Sequence, residues 1–81
     1  MNTVEELTKA FLTQKSYPEM LEFLKGILTP KEIHELASRL QIVKMLKKGI
    51  PHQKIAKRLE VGVATVTRGS RELKLGRFKK I

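Results

Sequence analysis

The chain has 81 residues, with 17 basic and 8 acidic side chains for a net charge of +9, and neither cysteine nor tryptophan. A disulfide-stapled fold and a cysteine-ligated zinc or iron–sulfur site are excluded, and no apolar run approaches the ~18–20 residues of a membrane span. One small domain is expected; it would bury only about 60% of its unfolded surface, which leaves a marginal monomer or an obligate oligomer. With 41% apolar residues the chain is too hydrophobic for a disordered basic tail.

The opening MNTVEELTKAFL carries two glutamates and no basic start, so it reads as a helix and not as a signal peptide. A cytoplasmic protein is expected. Thr3-Val4-Glu5-Glu6 reads as a capping box, with the Thr3 hydroxyl accepting from the Glu6 N–H. Val4, Leu7, Ala10 and Phe11 then recur at helical spacing. Ser16-Tyr17-Pro18-Glu19 starts a second helix with an apolar face of Met20, Leu21, Phe23, Leu24 and Ile27, and Gly26 is its expected end.

Thr29-Pro30-Lys31-Glu32 is the clearest start: Thr29 caps, Pro30 suits the first helical position, and Glu32 closes the box. Ile33, Leu36, Ala37, Leu40, Val43 and Leu46 form one stripe. Lys47 and Lys48 stand in the last turn, where the helix dipole favours cations, before Gly49. The run of about 19 residues predicts ~28 Å of helix. Pro51 opens a short fourth helix to about Leu59, and Gly62 a fifth to about Leu73, before Gly76. No strand or hairpin signal appears, so the fold class is all-α with five helices.

The positive charge is graded along the chain. Residues 1–29 carry a net −1, residues 30–51 a net +3 and residues 52–81 a net +7. A polyanion partner is the simplest reason for such a gradient. Arg77, Lys79 and Lys80 fit a solubilising tail, but Lys54, Lys57, Arg58, Arg68 and Arg71 lie inside a patterned segment.

That segment, Ile55 to Arg68, reads as a helix-turn-helix. Ala56 is the small residue where two helices cross, and Ile55, Leu59, Val61 and Val66 lock them. Glu60 stands at the left-handed turn that usually takes glycine, so ~1 kcal/mol of strain is expected there. Val63, Ala64, Thr67, Arg68 and Arg71 then face outward. Small and hydroxyl side chains beside arginines suit a DNA major groove. A generic helical hairpin buried in a bundle would strand Lys57, Arg58, Thr65, Thr67, Arg68 and Arg71 without counter-charge.

Leu28-Thr29-Pro30-Lys31-Glu32, Arg39-Leu40-Gln41-Ile42-Val43 and Val63-Ala64-Thr65-Val66-Thr67-Arg68-Gly69-Ser70 resemble the tryptophan repressor family. The resemblance covers roughly residues 20–75, and Ala64 to Ser70 is its most specific stretch. It implies an intertwined homodimer that binds a double-stranded operator, with L-tryptophan as corepressor ligand. By the same resemblance, Arg39 and Arg68 flank the indole and Arg68 pairs with the ligand carboxylate. Thr29 lies near that carboxylate, Gly69 beside the ring and the Leu28 carbonyl near the ammonium. Val63, Ala64 and Thr67 match the base-facing residues, and Gln53 or Lys54 the polar contact on the preceding helix; Lys57, Arg68 and Arg71 complete the expected DNA-binding set. A guanidinium stacks on an aromatic face and forks onto a carboxylate, so two arginines can hold one aromatic amino acid.

Three features depart from the pattern. Gly49 to Ile55 is one residue shorter than in the best-known repressors, as in a sister group of tryptophan-repressor-like proteins. Glu72 replaces a small hydroxyl residue near the ligand ammonium. The family's final helix is expected to be missing or reduced to a stub before Ile81. On spacing alone, Arg39 can equally be an exposed flank paired with Glu35.

The expected organisation is a helical dimerisation core in 1–50, a DNA-binding unit in 51–75 and a basic tail in 76–81. No metal site is expected from His34 and His52, which lie far apart, and no set of catalytic residues can be assembled, so an enzyme is not expected. The leading function is a sequence-specific transcriptional repressor corepressed by L-tryptophan. The alternatives are a ligand-independent regulator on the same scaffold, and a helical interaction module whose basic end holds polyanions without sequence preference.

Overall fold

Five helices follow one another in a computed structural model that describes residues 2–81: α1 (Thr3–Thr13), α2 (Tyr17–Ile27), α3 (Pro30–Lys47), α4 (His52–Leu59) and α5 (Val63–Lys74). There is no strand among the described residues, so the fold is all-α.

The first three helices start on side-chain caps. Asn2, not Thr3, caps α1: its Oδ1 accepts from the Glu5 N–H at 3.0 Å. Asparagine caps at least as well as threonine and stands one residue earlier, which draws Thr3 into the first turn. Ser16 Oγ accepts from the Glu19 N–H at 3.2 Å, and the Glu19 carboxylate accepts from the Lys15 N–H at 2.8 Å. At α3 the box is reciprocal: the Glu32 N–H donates to Thr29 Oγ1 at 3.1 Å and the Thr29 N–H to the Glu32 carboxylate at 2.9 Å. The Thr29 backbone N–H, and then its hydroxyl, hold the Glu32 carboxyl below its ordinary pKa.

Gly26 does not end α2, which continues through Ile27 to an extended Leu28 cap. The stop is imposed from the other side: a residue before proline avoids the helical region, and Thr29 must be extended to cap α3. Three later helix ends share one solution. Gly49, Glu60 and Gly76 all have positive φ (79°, 56° and 84°). At each, two amide hydrogens fold back on the last turn: Gly49 and Ile50 onto Leu46 and Met45, Glu60 and Val61 onto Lys57 and Ala56, Gly76 and Arg77 onto Leu73 and Glu72. This is the Schellman pattern, which glycine enters without steric cost and Glu60 does not.

The chain packs as two compact units, Met1–Ile33 and His34–Ile81. In the first, the Phe11 and Phe23 rings meet edge-to-face at 5.1 Å and join α1 to α2. In the second, Ile42 and Met45 of α3, Ile55 and Ala56 of α4 and Val66 of α5 form a buried core, with Leu46, Ile50, Leu59 and Val61 packed around it. The division by packing therefore falls inside α3, whereas the expected functional division falls at residue 50.

The α3 stripe is not uniformly buried. Leu36 and Leu40 are 43% and 38% exposed, while the buried residues of the helix are Ile42, Val43 and Met45. The helix carries two apolar faces, and only one of them is used by the core of its own chain.

Candidate functional site

Ile55, Ala56 and Val66 are the inward residues of α4 and α5 and are all buried. Ala56 has no side chain beyond Cβ, so the helices can cross closely, and the left-handed Glu60 turns the chain between them. With those positions fixed, α4 exposes Gln53, Lys54, Lys57 and Arg58, and α5 exposes Val63, Ala64, Thr67, Arg68 and Arg71. Every residue expected to meet DNA is thus solvent-facing on the two short helices. Neither Pro51 nor Gly62 supplies a side-chain cap, and neither helix has an acidic residue in its first turn. No acidic side chain of either first turn offsets the positive end of its helix dipole.

A pocket of about 370 Å³ opens in the second unit. Arg39 of α3 and Arg68 of α5 both line it. Ile42 and Val43 supply apolar surface, and Gly69 lines the pocket where α5 comes close to Ile42. Thr65 and Glu72, also on α5, lie one turn from Arg68 on either side, and the pocket is completed by Arg77 and Phe78. Glu72 Oε2 accepts from Arg77 Nε at 3.3 Å. Three guanidinium groups against one carboxylate leave the pocket electropositive. Arg39 also borders a neighbouring polar pocket of about 460 Å³ with His34, Glu35, Ser38 and Glu60.

Of the five residues expected around a ligand, the second unit brings Arg39, Arg68 and Gly69 to one pocket. Leu28 and Thr29 belong to the first unit, where Leu28 lines an apolar pocket with Lys25, Pro30 and Ile33, and Thr29 caps α3. The Arg39–Glu35 ion pair open to the sequence does not form: the ion pairs among the described residues are Lys9–Glu5 and Arg77–Glu72. No group of three or more histidine or acidic residues is placed to hold a metal among the described residues.

Sequence reasoning missed Thr65, Arg77 and Phe78. Thr65 had a signal, since it lies three residues before Arg68 and shares its helix face. Arg77 and Phe78 had none: both fall in the stretch expected as basic tail, and a phenylalanine is by type expected in the core, where Phe78 does not lie. Their positions depend on the Gly76 reversal and on Lys47, whose Nζ donates to the Phe78 carbonyl at 2.6 Å from 31 residues away.

Residues 2–79 match the family model described as Trp repressor protein. The chain belongs to the Trp repressor family. Among its relatives, the Trp operon repressor homolog of Vibrio vulnificus is 42% identical over 73 residues, which cover 89% of this chain and 69% of the relative. That of Photobacterium profundum is 46% identical over 72 residues, covering 88% and 66%. That of Actinobacillus succinogenes is 41% identical over 73 residues, covering 89% and 68%. No solved structure is a significant match to the chain. Trp repressor proteins are helix-turn-helix transcription regulators and not enzymes. No helix is long and apolar enough to cross a membrane among the described residues.

Proposed function

We propose that the chain is a sequence-specific, operator-binding repressor of the cytoplasm, acting as an intertwined homodimer and taking L-tryptophan as corepressor between Arg39 and Arg68. The observation that carries this reading is the single pocket lined by both guanidinium groups and Gly69. Its volume of about 370 Å³ lies at the small end of the ~300–1,000 Å³ typical of small-molecule sites. Arg39 and Arg68 stack on an aromatic ring and Arg68 also takes the carboxylate, while Gly69 lets the ring lie close to α5. Thr29 and the Leu28 carbonyl are assigned to the polar end of the ligand by family resemblance.

In the same reading Val63, Ala64 and Thr67 meet base edges in the major groove, while Gln53, Lys54, Lys57, Arg68 and Arg71 hold phosphates or flanking bases. A two-fold operator needs two α5 helices about 34 Å apart. A ligand wedged between α3 and α5 fixes that separation, which couples ligand and DNA affinity reciprocally. The exposed Leu36 and Leu40 on α3 support a homodimer seam.

The test is selection of binding sites from random duplex DNA by the full chain, with and without L-tryptophan, followed by calorimetry. A selected site bound ~10³-fold or more above random DNA, and tightened by L-tryptophan, is the expected result. A selective site indifferent to L-tryptophan would leave a ligand-independent repressor. Equal affinity for every duplex would leave only a polyanion-binding module and overturn the reading.

A further inference from the structure

Phe78 is the one aromatic residue C-terminal to Phe23, and it is not spent on the core. It is half-buried and lines the pocket that holds Arg39 and Arg68. Several restraints bring it there. Gly76, at φ 84°, reverses the chain after α5, with its N–H on the Leu73 carbonyl at 3.0 Å and the Arg77 N–H on the Glu72 carbonyl at 3.3 Å. Arg77 Nε is held by Glu72, and Lys47 Nζ at the end of α3 grips the main-chain oxygens of both Phe78 and Ile81 at 2.6 Å. A tail kept for charge alone has no need of this fastening. An exposed ion pair such as Arg77–Glu72 contributes little by itself, so the Gly76 turn and the Lys47 grip carry the placement.

We propose that Phe78 is an aromatic wall of the ligand site, that it makes the site select planar aromatic carboxylates, and that Lys47 is its positioning residue. The proposal rests on the reading that the arginine pocket binds a carboxylate ligand, and it adds the group that recognises the ring. The polar and apolar halves of the pocket agree with such a ligand. Arg77 is occupied by Glu72, which leaves Arg39 and Arg68 for an anion. Ile42, Val43, Gly69 and Phe78 offer a surface for a flat apolar body. A ring against a ring contributes beyond the area it buries, by an amount equivalent to about two- to tenfold in affinity.

The experiment is nuclear magnetic resonance titration of the full chain with L-tryptophan, phenylacetate and its saturated analogue cyclohexylacetate. Aromatic probes should move the Phe78 ring signals together with the Arg39 and Arg68 side-chain signals. Phe78→Leu keeps an apolar side chain but removes the ring; it should weaken L-tryptophan and phenylacetate about two- to tenfold and change cyclohexylacetate less than twofold. Lys47→Met should weaken the same two probes in the same order, and Lys47→Arg should restore them. If phenylacetate behaves in this way and L-tryptophan does not bind, the corepressor assignment falls and the wall stands. If L-tryptophan moves Arg39 and Arg68 but not Phe78, or binds Phe78→Leu as it binds the wild type, the wall falls and the corepressor assignment stands. If no probe binds, both fall.

Discussion

A Cβ placed on Gly69 would lie 3.1 Å from Ile42 Cγ2 and 3.7 Å from Leu46 Cδ1. The close approach of α5 to α3 beside the pocket lined by Arg39 and Arg68 therefore depends on a missing side chain. Helix propensity favours Gly69→Ala by about 1 kcal/mol. Against it, the Ile42 methyl is branched at Cβ and only 1% exposed, so it has little room to give. Overpacking of this kind costs about 1–3 kcal/mol, so a net loss of about 1 kcal/mol and a lower thermal midpoint are expected, with weaker ligand binding. Ile42→Leu moves the branch off Cβ and should recover part of the loss in the double variant. A Gly69→Ala protein more stable than wild type would show that α3 and α5 can part freely.

Glu60→Gly should act in the opposite direction. Glu60 sits at φ 56° and ψ 45° in the turn between α4 and α5. The left-handed conformation costs a side-chain-bearing residue about 1–2 kcal/mol, and glycine's extra freedom in the unfolded chain returns part of that. A net gain of about 0.5–1 kcal/mol is expected, seen as a rise of a few degrees in the melting temperature. Glu60→Ala keeps the Cβ and should give none of it. Equal midpoints for the two variants would argue that the turn is not strained.

These two residues mark what a sequence reveals. The caps at Ser16 and Thr29, the Gly49 stop, the small Ala56 at the crossing and the locking set Ile55, Leu59, Val61 and Val66 are written in near neighbours, and they were legible. Where two local signals compete, spacing does not choose: Asn2 outranks Thr3, and Pro30 overrides Gly26 as the end of α2. The α3 stripe included Val43 and Leu46 but passed over Ile42 and Met45, which the core buries, and spacing did not show which face the chain itself covers, because Leu36 and Leu40 resemble Ile42 in character. Arg39, Arg68 and Gly69 were recognisable through their motif neighbours. Phe78 was not, because no local pattern predicts that Lys47 will hold its carbonyl.

Arg39→Ala should separate binding from folding. The Arg39 side chain is exposed and is not paired with Glu35, so its loss should change stability by no more than about 0.5 kcal/mol. If it stacks on the ligand, L-tryptophan binding should weaken at least tenfold, about 1.4 kcal/mol or more, consistent with a desolvated cation–π contact and a charge-assisted hydrogen bond. Calorimetry beside a melting curve reads both quantities. An unchanged dissociation constant would remove Arg39 from the site.

Acid should loosen the start of α3. The Glu32 carboxyl is held below its ordinary pKa by the Thr29 N–H and hydroxyl. A lowered folded-state pKa means that this support is present above the ordinary carboxylate range and is lost as pH falls through it towards the lowered value. Lower protection of the Glu32 and Ile33 amides, relative to their intrinsic exchange rates, is expected in acid. Glu32→Gln keeps an acceptor for the Thr29 N–H without a titrating charge, so its exchange should show a flatter acid dependence once intrinsic exchange is subtracted. Identical profiles in both proteins would count against the box as the titrating element.

Thr67 and Lys57 should divide DNA affinity into its specific and general parts. Both are exposed on the helix-turn-helix, Thr67 on α5 beside Val63 and Ala64, and Lys57 on α4. If each recognition unit neutralises about four or five phosphates, the dimer's affinity should fall with salt at a log–log slope near −8, from about −0.9 per phosphate. In the proposed homodimer Lys57→Ala would remove one phosphate contact from each subunit, so affinity should drop on all sequences alike and the slope should flatten by about 2. Thr67→Ala removes a hydroxyl and a methyl from the proposed reading face of α5 without changing charge. It should cost about 1–3 kcal/mol at the preferred base and little on random DNA, with the slope unchanged. Fluorescence anisotropy across a salt series, on a selected site and on random duplex, distinguishes the two. A Thr67→Ala protein that loses affinity equally on both duplexes would place Thr67 on the backbone, and the reading face of α5 would then have to lie elsewhere on the helix.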